Sequence, residues 1–236
     1  QGGKLDRAKK IVNIIENLEG PAISLSTLIV DKLNIIGLIP IKGSPTHFEG
    51  RNLLVESIAY LKECDLISEV YVSTDNLETA KIAKNNGGLA PFIRPIELSS
   101  EDVGLPAVLK YSVEEIEKIR NVDLVVIIEE NYPFRPKGLP NKLINNIIEG
   151  GYDTVCASII EERSIWLDTQ ETITSIGDNL MGSRSTKPEK IHINLFGLGA
   201  VTYVDNIRSK KILSNKVGLS SVAAYPYSFQ INENSN

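Results

Sequence analysis

The chain has 236 residues, 42% hydrophobic and 23% charged, which suits one globular domain with a small excursion. Its formal net charge of -5 argues against a general affinity for nucleic acid or an anionic membrane surface. No apolar run reaches the roughly 18 residues of a bilayer-crossing helix. Cys64 and Cys156 are too few and too far apart for a disulfide framework or a metal knuckle, and are read as core thiols of a cytoplasmic protein.

Gln1-Gly2-Gly3 has no hydrophobic signal core and reads as an added remnant or an internal cut. Leu5 to Leu18 predicts a short amphipathic helix with Ile11, Ile14, Ile15 and Leu18 on one face, ended by Gly20-Pro21. Residues 1–33 are expected to form an appendage, the tail of a longer polypeptide, ahead of a domain over 34–232.

From there strands and helices alternate. Strands are expected at Ile35–Ile39, Ile67–Ser73, Asp123–Ile128 and Thr154–Ile160, and helices at Leu53–Lys62, Leu77–Asn85, Pro106–Arg120 and Asn141–Ile148. Residues 161–192 break the rhythm. They are polar, hold the only Trp, and predict an antiparallel excursion through Ile165-Trp166-Leu167 and Ile173–Ile176. A strand over Ile193–Val204 broken by Gly197 and Gly199, a helix over Asn206–Leu213 and a last strand at Ser221–Tyr225 complete the pattern. The fold class is therefore α/β: a Rossmann-like, mostly parallel sheet covered on both faces, with a small antiparallel excursion.

In such folds ligands sit at the carboxyl ends of the strands. Those ends carry Lys42-Gly43-Ser44, Thr74-Asp75, Glu129-Glu130 and Arg135. Lys42, Arg51, Arg94 and Arg135 are candidates to hold phosphates or a carboxylate, with solvated surface charge as the alternative. Asp75 can orient a ligand, bind a metal or cap the helix beginning near Leu77, and its position favours the cap. Glu129 and Glu130 can hold Mg²⁺ where phosphates arrive, or repel them. His47 and His192 have no ligand at metal spacing. Ser44 lies outside a G-x-S-x-G elbow, and the loop is neither a P-loop nor G-x-G-x-x-G.

Four segments, in order, resemble the acylneuraminate cytidylyltransferase (CMP-sialic acid synthetase) family. Ile39-Pro40-Ile41-Lys42-Gly43-Ser44-Pro45-Thr46-His47 through Arg51-Asn52 has the length of the family's I-P-A-R-G-G-S-K-G-x-x-x-K-N. Val70-Tyr71-Val72-Ser73-Thr74-Asp75 followed by Pro91-Phe92-Ile93-Arg94-Pro95 is similar to V-x-V-S-T-D and x-F-x-R-P. Ile127-Ile128-Glu129-Glu130-Asn131-Tyr132-Pro133-Phe134-Arg135 resembles L-L-Q-P-T-S-P-L-R, and Leu198 to Thr202 resembles N-G-A-I-Y. The resemblance implies transfer of CMP from CTP to an acidic, sialic-acid-like sugar, with loss of pyrophosphate and help from Mg²⁺. Lys42 and Arg51 would be catalytic. Lys42, Gly43, Ser44, Arg51, Asn52, Arg94 and Asp102 would bind nucleotide, and Arg135 would shape the sugar side. It also implies a homodimer joined through an excursion like residues 161–192, with Trp166 at the interface or, equally, in the local core.

The departures fall on chemistry. Thr46 stands where the family has its loop lysine, and Lys42 where it has arginine. Glu129-Glu130-Asn131-Tyr132 replaces Q-P-T-S, and Gln230 and Asn232 replace a late aspartate pair, leaving only weak candidate metal ligands. The alternative is therefore a degenerate cytidylyltransferase-like module that binds nucleotide or sugar or serves a structural role.

Overall fold

The structure is a computed structural model describing residues 33–100, 102–169, 171–176, 190–213 and 216–231. The helix expected over Leu5–Leu18 and the metal candidate Asn232 lie outside the described residues.

Strand β1 (Ile35–Ile41) is the spine of the main sheet. It pairs in parallel with β4 (Glu69–Thr74) on one side and β5 (Leu124–Ile127) on the other. Beyond β5 come β10 (Ala200–Tyr203), β6 (Thr154–Glu161) and β11 (Val217–Ser221), giving the order β11-β6-β10-β5-β1-β4. β10 runs against β5 and β6, and β9 (Ile191–Asn194) pairs antiparallel with the far end of β6. Two short ribbons stand off the sheet: β2–β3 (His47–Phe48 with Arg51–Asn52) and β7–β8 (Ile165–Asp168 with Ile173–Ile176).

Strand alternation sends side chains of β1 to two cores. Ile35, Ile39 and Ile41 join Leu54, Ile58 and Leu61 of α1 (Leu53–Lys62), Ala80 and Ala83 of α2 (Leu77–Asn85), and Leu143 and Ile147 of α4 (Leu139–Glu149). Ile36 and Leu38 join Leu109, Val113 and Ile116 of α3 (Leu105–Glu117) and Ile207 of α5 (Val204–Arg208). Each fully buried Leu, Ile or Val side chain here contributes about 1.5–3 kcal/mol. The chain leaves β1 toward β4 and returns past it to β5, so the order reverses at β1. A crevice opens there, at the carboxyl ends of β1, β4 and β5.

Several expected boundaries move. The strand expected over Ile193–Val204 is two strands, because the chain turns between Leu195 and Gly199. The last strand is Val217–Ser221 rather than Ser221–Tyr225. The helix expected over Asn206–Leu213 is the shorter Val204–Arg208, ended where Lys210 takes a φ of 55°.

Candidate functional site

At the end of β1 the chain must turn out of the sheet, and Gly43 does so with a φ of 65°, in the left-handed region that glycine enters freely. Its N–H donates to Asp75 Oδ1 at 2.8 Å, and its carbonyl accepts from Thr79 Oγ1 at 2.7 Å. The loop is thus tied at both polar groups to the end of β4 and the start of α2. This corrects the reading of Asp75 as a helix cap. Asn76 caps α2, its Oδ1 accepting from the N–H groups of Glu78 (2.8 Å) and Thr79 (3.1 Å). Burial pushes the Asp75 pKa up, but hydrogen bonds from Ser99 and Gly43 and the charge of Arg94 outweigh it, and the net shift is downward.

Arg94 is 4% exposed. Its Nη2 donates to Ile41 O (3.1 Å), its Nη1 to Ser73 O (3.0 Å) and its Nε to Ser99 Oγ (3.2 Å), with Asp75 Oδ2 at 4.0 Å from Nη2. Its fork clamps the ends of β1 and β4 together, and most of its donors are occupied by the protein itself.

The other half of the loop meets Glu130, a residue whose role sequence reasoning left between metal and repulsion. The Thr46 N–H donates to Glu130 Oε1 and Oε2 at 3.0 and 3.2 Å, and the Thr46 hydroxyl to Oε1 at 2.6 Å. Glu130 is 7% exposed, and burial raises its pKa against those hydrogen bonds. Glu129 is raised too, by burial, with Arg135 pulling the other way.

The remaining predicted residues scatter around this centre. Lys42 is exposed, lines the crevice, and has no ion-pair partner among the described residues. Ser44 is exposed, and Asn52 caps α1 by accepting from the Val55 N–H at 3.1 Å. Arg51 pairs with Glu56 at 3.0 Å and lies over the Phe48 ring at 5.4 Å. Asp102 is exposed on the turn before α3, beside the crevice-lining Val103. Arg135 lies behind the crevice against Leu198 and Glu129 carbonyls. Gln230 is half-buried between Phe229 and Ile231, whose N–H donates to Asn131 O at 2.9 Å.

A cavity of about 220 Å³ opens beside the loop, walled by Pro40, Ile41, Leu98, Val103 and Val108, with Lys42, Arg94 and Glu129 at its polar side. Sequence reasoning missed two features here. One is the bond between Thr46 and Glu130, 84 residues apart. The other is a trio of rings, Phe48, Phe134 and Phe229, with centroids 5.8 to 6.1 Å apart, which joins the loop, the segment after β5 and the C-terminal stretch. Phenylalanine at three distant positions gave no spacing signal. Among the described residues, no three His, Cys, Asp or Glu side chains converge to hold a metal.

The fold is similar to that of several solved structures of low sequence identity. A CMP:2-keto-3-deoxy-manno-octonic acid synthetase complexed with CTP superposes with a TM-score of 0.57 at 11% identity, covering 81% of this chain and 90% of that one. A 4-diphosphocytidyl-2C-methyl-D-erythritol synthase from Anaerococcus prevotii gives 0.56 at 13% identity, covering 84% and 92%. A further 4-diphosphocytidyl-2C-methyl-D-erythritol synthase gives 0.61 at 8% identity, covering 86% and 94%. The chain has the cytidylyltransferase fold. No protein-family model matches it, and no curated protein sequence does. The likeness lies at the level of this fold and does not single out the acylneuraminate family. On the cytidylyltransferase fold, the loop after β1 and the cavity beside it occupy the crevice at the sheet's switch point.

Proposed function

We propose that this chain recognises a cytidine nucleotide through its nucleoside part and does not transfer CMP. One observation carries this reading: the N–H and hydroxyl of Thr46 are taken by the Glu130 carboxylate, and the N–H of Gly43 by that of Asp75. Backbone donors in such a loop are the groups that would receive phosphate oxygens. Here two of them, at Gly43 and Thr46, already hold the protein's own anions. A phosphate brought within 4 Å of one of those carboxylates would meet a repulsion of about 4 kcal/mol at a near-surface dielectric. The cavity beside the loop keeps apolar walls for a base and the hydroxyl of Ser100 for a ribose.

Calorimetric titration with cytidine, CMP and CTP, with and without Mg²⁺, tests this. Saturable binding that gains nothing from the β- and γ-phosphates is expected. No saturable binding by any of the three would remove the nucleotide reading.

The second reading is CMP transfer from CTP to an acidic, sialic-acid-like sugar. It is favoured by Lys42, a cation on the cavity wall with no ion-pair partner among the described residues. Mg²⁺, which that transfer would use, would find its carboxylate in Glu129 at the polar side of the cavity, since Gln230 offers only a neutral amide and Asp75 and Glu130 are committed to the loop. A second copy of the chain is assigned to the β7–β8 hairpin, which leaves Trp166, Leu167, Ile173 and Ile176 exposed off the main sheet.

A further inference from the structure

We propose that the pocket between α1 and the segment 132–135 is a binding site for a small carboxylate, seated on the guanidinium of Arg135. This pocket has a volume of about 150 Å³ and shares no lining residue with the crevice cavity. Arg135 Nη1 donates to Leu198 O at 3.0 Å, and Nη2 donates to Glu129 O and, at 3.4 Å, to Ser57 Oγ. The rings of Tyr60 and Tyr132 flank it, with centroids 5.6 and 6.0 Å from Cζ. All these partners are neutral. No carboxylate lies within ion-pair distance of Arg135 among the described residues, and two of its five N–H donors, at Nε and Nη1, have no acceptor there.

A guanidinium drawn out of water and left with neutral partners is costly, and an anion offsets that cost. Burial lowers the Arg135 pKa to about 10, which leaves the group charged at neutral pH. The nearby acids do not supply the missing anion. Glu56 lines the pocket but faces Arg51 at 3.0 Å, Glu129 turns to the crevice cavity, and Glu130 is bound to Thr46. Shape then selects the ligand. The volume holds about five waters at ~30 Å³ each, and it is smaller than the crevice cavity of about 220 Å³. A nucleotide or a whole sugar acid is too large. A short organic acid fits, with a carboxylate oxygen accepting from an Arg135 N–H that has no acceptor among the described residues and the Ser57 hydroxyl beside it.

The test uses pyruvate as the probe and the Arg135 Nε–Hε resonance of the whole chain as the readout, assigned with Arg135→Lys. The expected result is a saturable shift with pyruvate that equal sodium chloride does not reproduce, and binding at least tenfold weaker in Ser57→Val, which fills the pocket. The wild-type titration decides the matter even where a variant folds poorly. Absence of a saturable shift, a shift that sodium chloride reproduces, or unchanged binding in a folded Ser57→Val overturns the site. Tighter binding of inorganic phosphate than of pyruvate overturns the carboxylate assignment. Cytidine added to the same sample reports on the crevice through Val103 and Val108, so failure there is read separately.

Discussion

Burial raises the pKa of Glu130 against its hydrogen bonds from Thr46, and raises that of Glu129 against the charge of Arg135. A carboxyl whose folded pKa exceeds its unfolded value binds its proton more tightly when folded. The stability it contributes is fully present below the unfolded pKa and is lost as pH rises through the folded one. Asp75, shifted down, acts in the opposite sense, and its contribution is lost as pH falls. Glu129 has no hydrogen bond to its carboxylate among the described residues. Glu129→Gln should therefore raise Tm at pH 7 and flatten the decline in Tm above the ordinary glutamate range, as thermal unfolding across a pH series would show. Glu130→Gln keeps an acceptor for Thr46 and removes the charge, so calorimetry should show CTP binding about tenfold tighter, or ~1.4 kcal/mol. Arg94→Ala leaves Asp75 without its cation and unties β1 from β4; denaturant unfolding should report a loss of about 3–5 kcal/mol. Arg51→Ala breaks an exposed pair and should cost less than about 1 kcal/mol.

At the scale of elements, local chemistry made some boundaries readable and tertiary pairing set the others. The helices at Leu53–Lys62 and Leu77–Asn85 lie where the sequence places them, because Asn52 and Asn76 cap each start and apolar spacing marks the buried face. β11 was misplaced because its inward positions are small, Gly218 and Ser220, while Leu219 points out at 44% exposure. A hydrophobic alternation rule inverts there. The β7–β8 ribbon was legible as an excursion. With Trp166 58% and Ile173 65% exposed, it should carry the contact between two copies. Ile173→Asp should turn a dimer into a monomer by sedimentation without changing cytidine binding; a wild-type monomer would refute that role.

For the whole molecule, the alternation of strands and helices was enough to read a mostly parallel sheet and the crevice at its carboxyl edge. What the crevice contains was less legible. Gly43 and Asp75 are 32 residues apart, Ile41 and Arg94 53, and Thr46 and Glu130 84. Whether a cation near a loop is free or already bound depends on such contacts, which no local spacing encodes. The central claim is that the loop after β1 is filled by the protein's own carboxylates, so that recognition stops at the nucleoside. It is tested most directly by calorimetric comparison of CMP with CTP·Mg²⁺ on the wild-type chain. Equal or weaker binding of CTP is predicted. CTP binding at least tenfold tighter than CMP, with pyrophosphate released when a sialic-acid-like sugar is added, would contradict it.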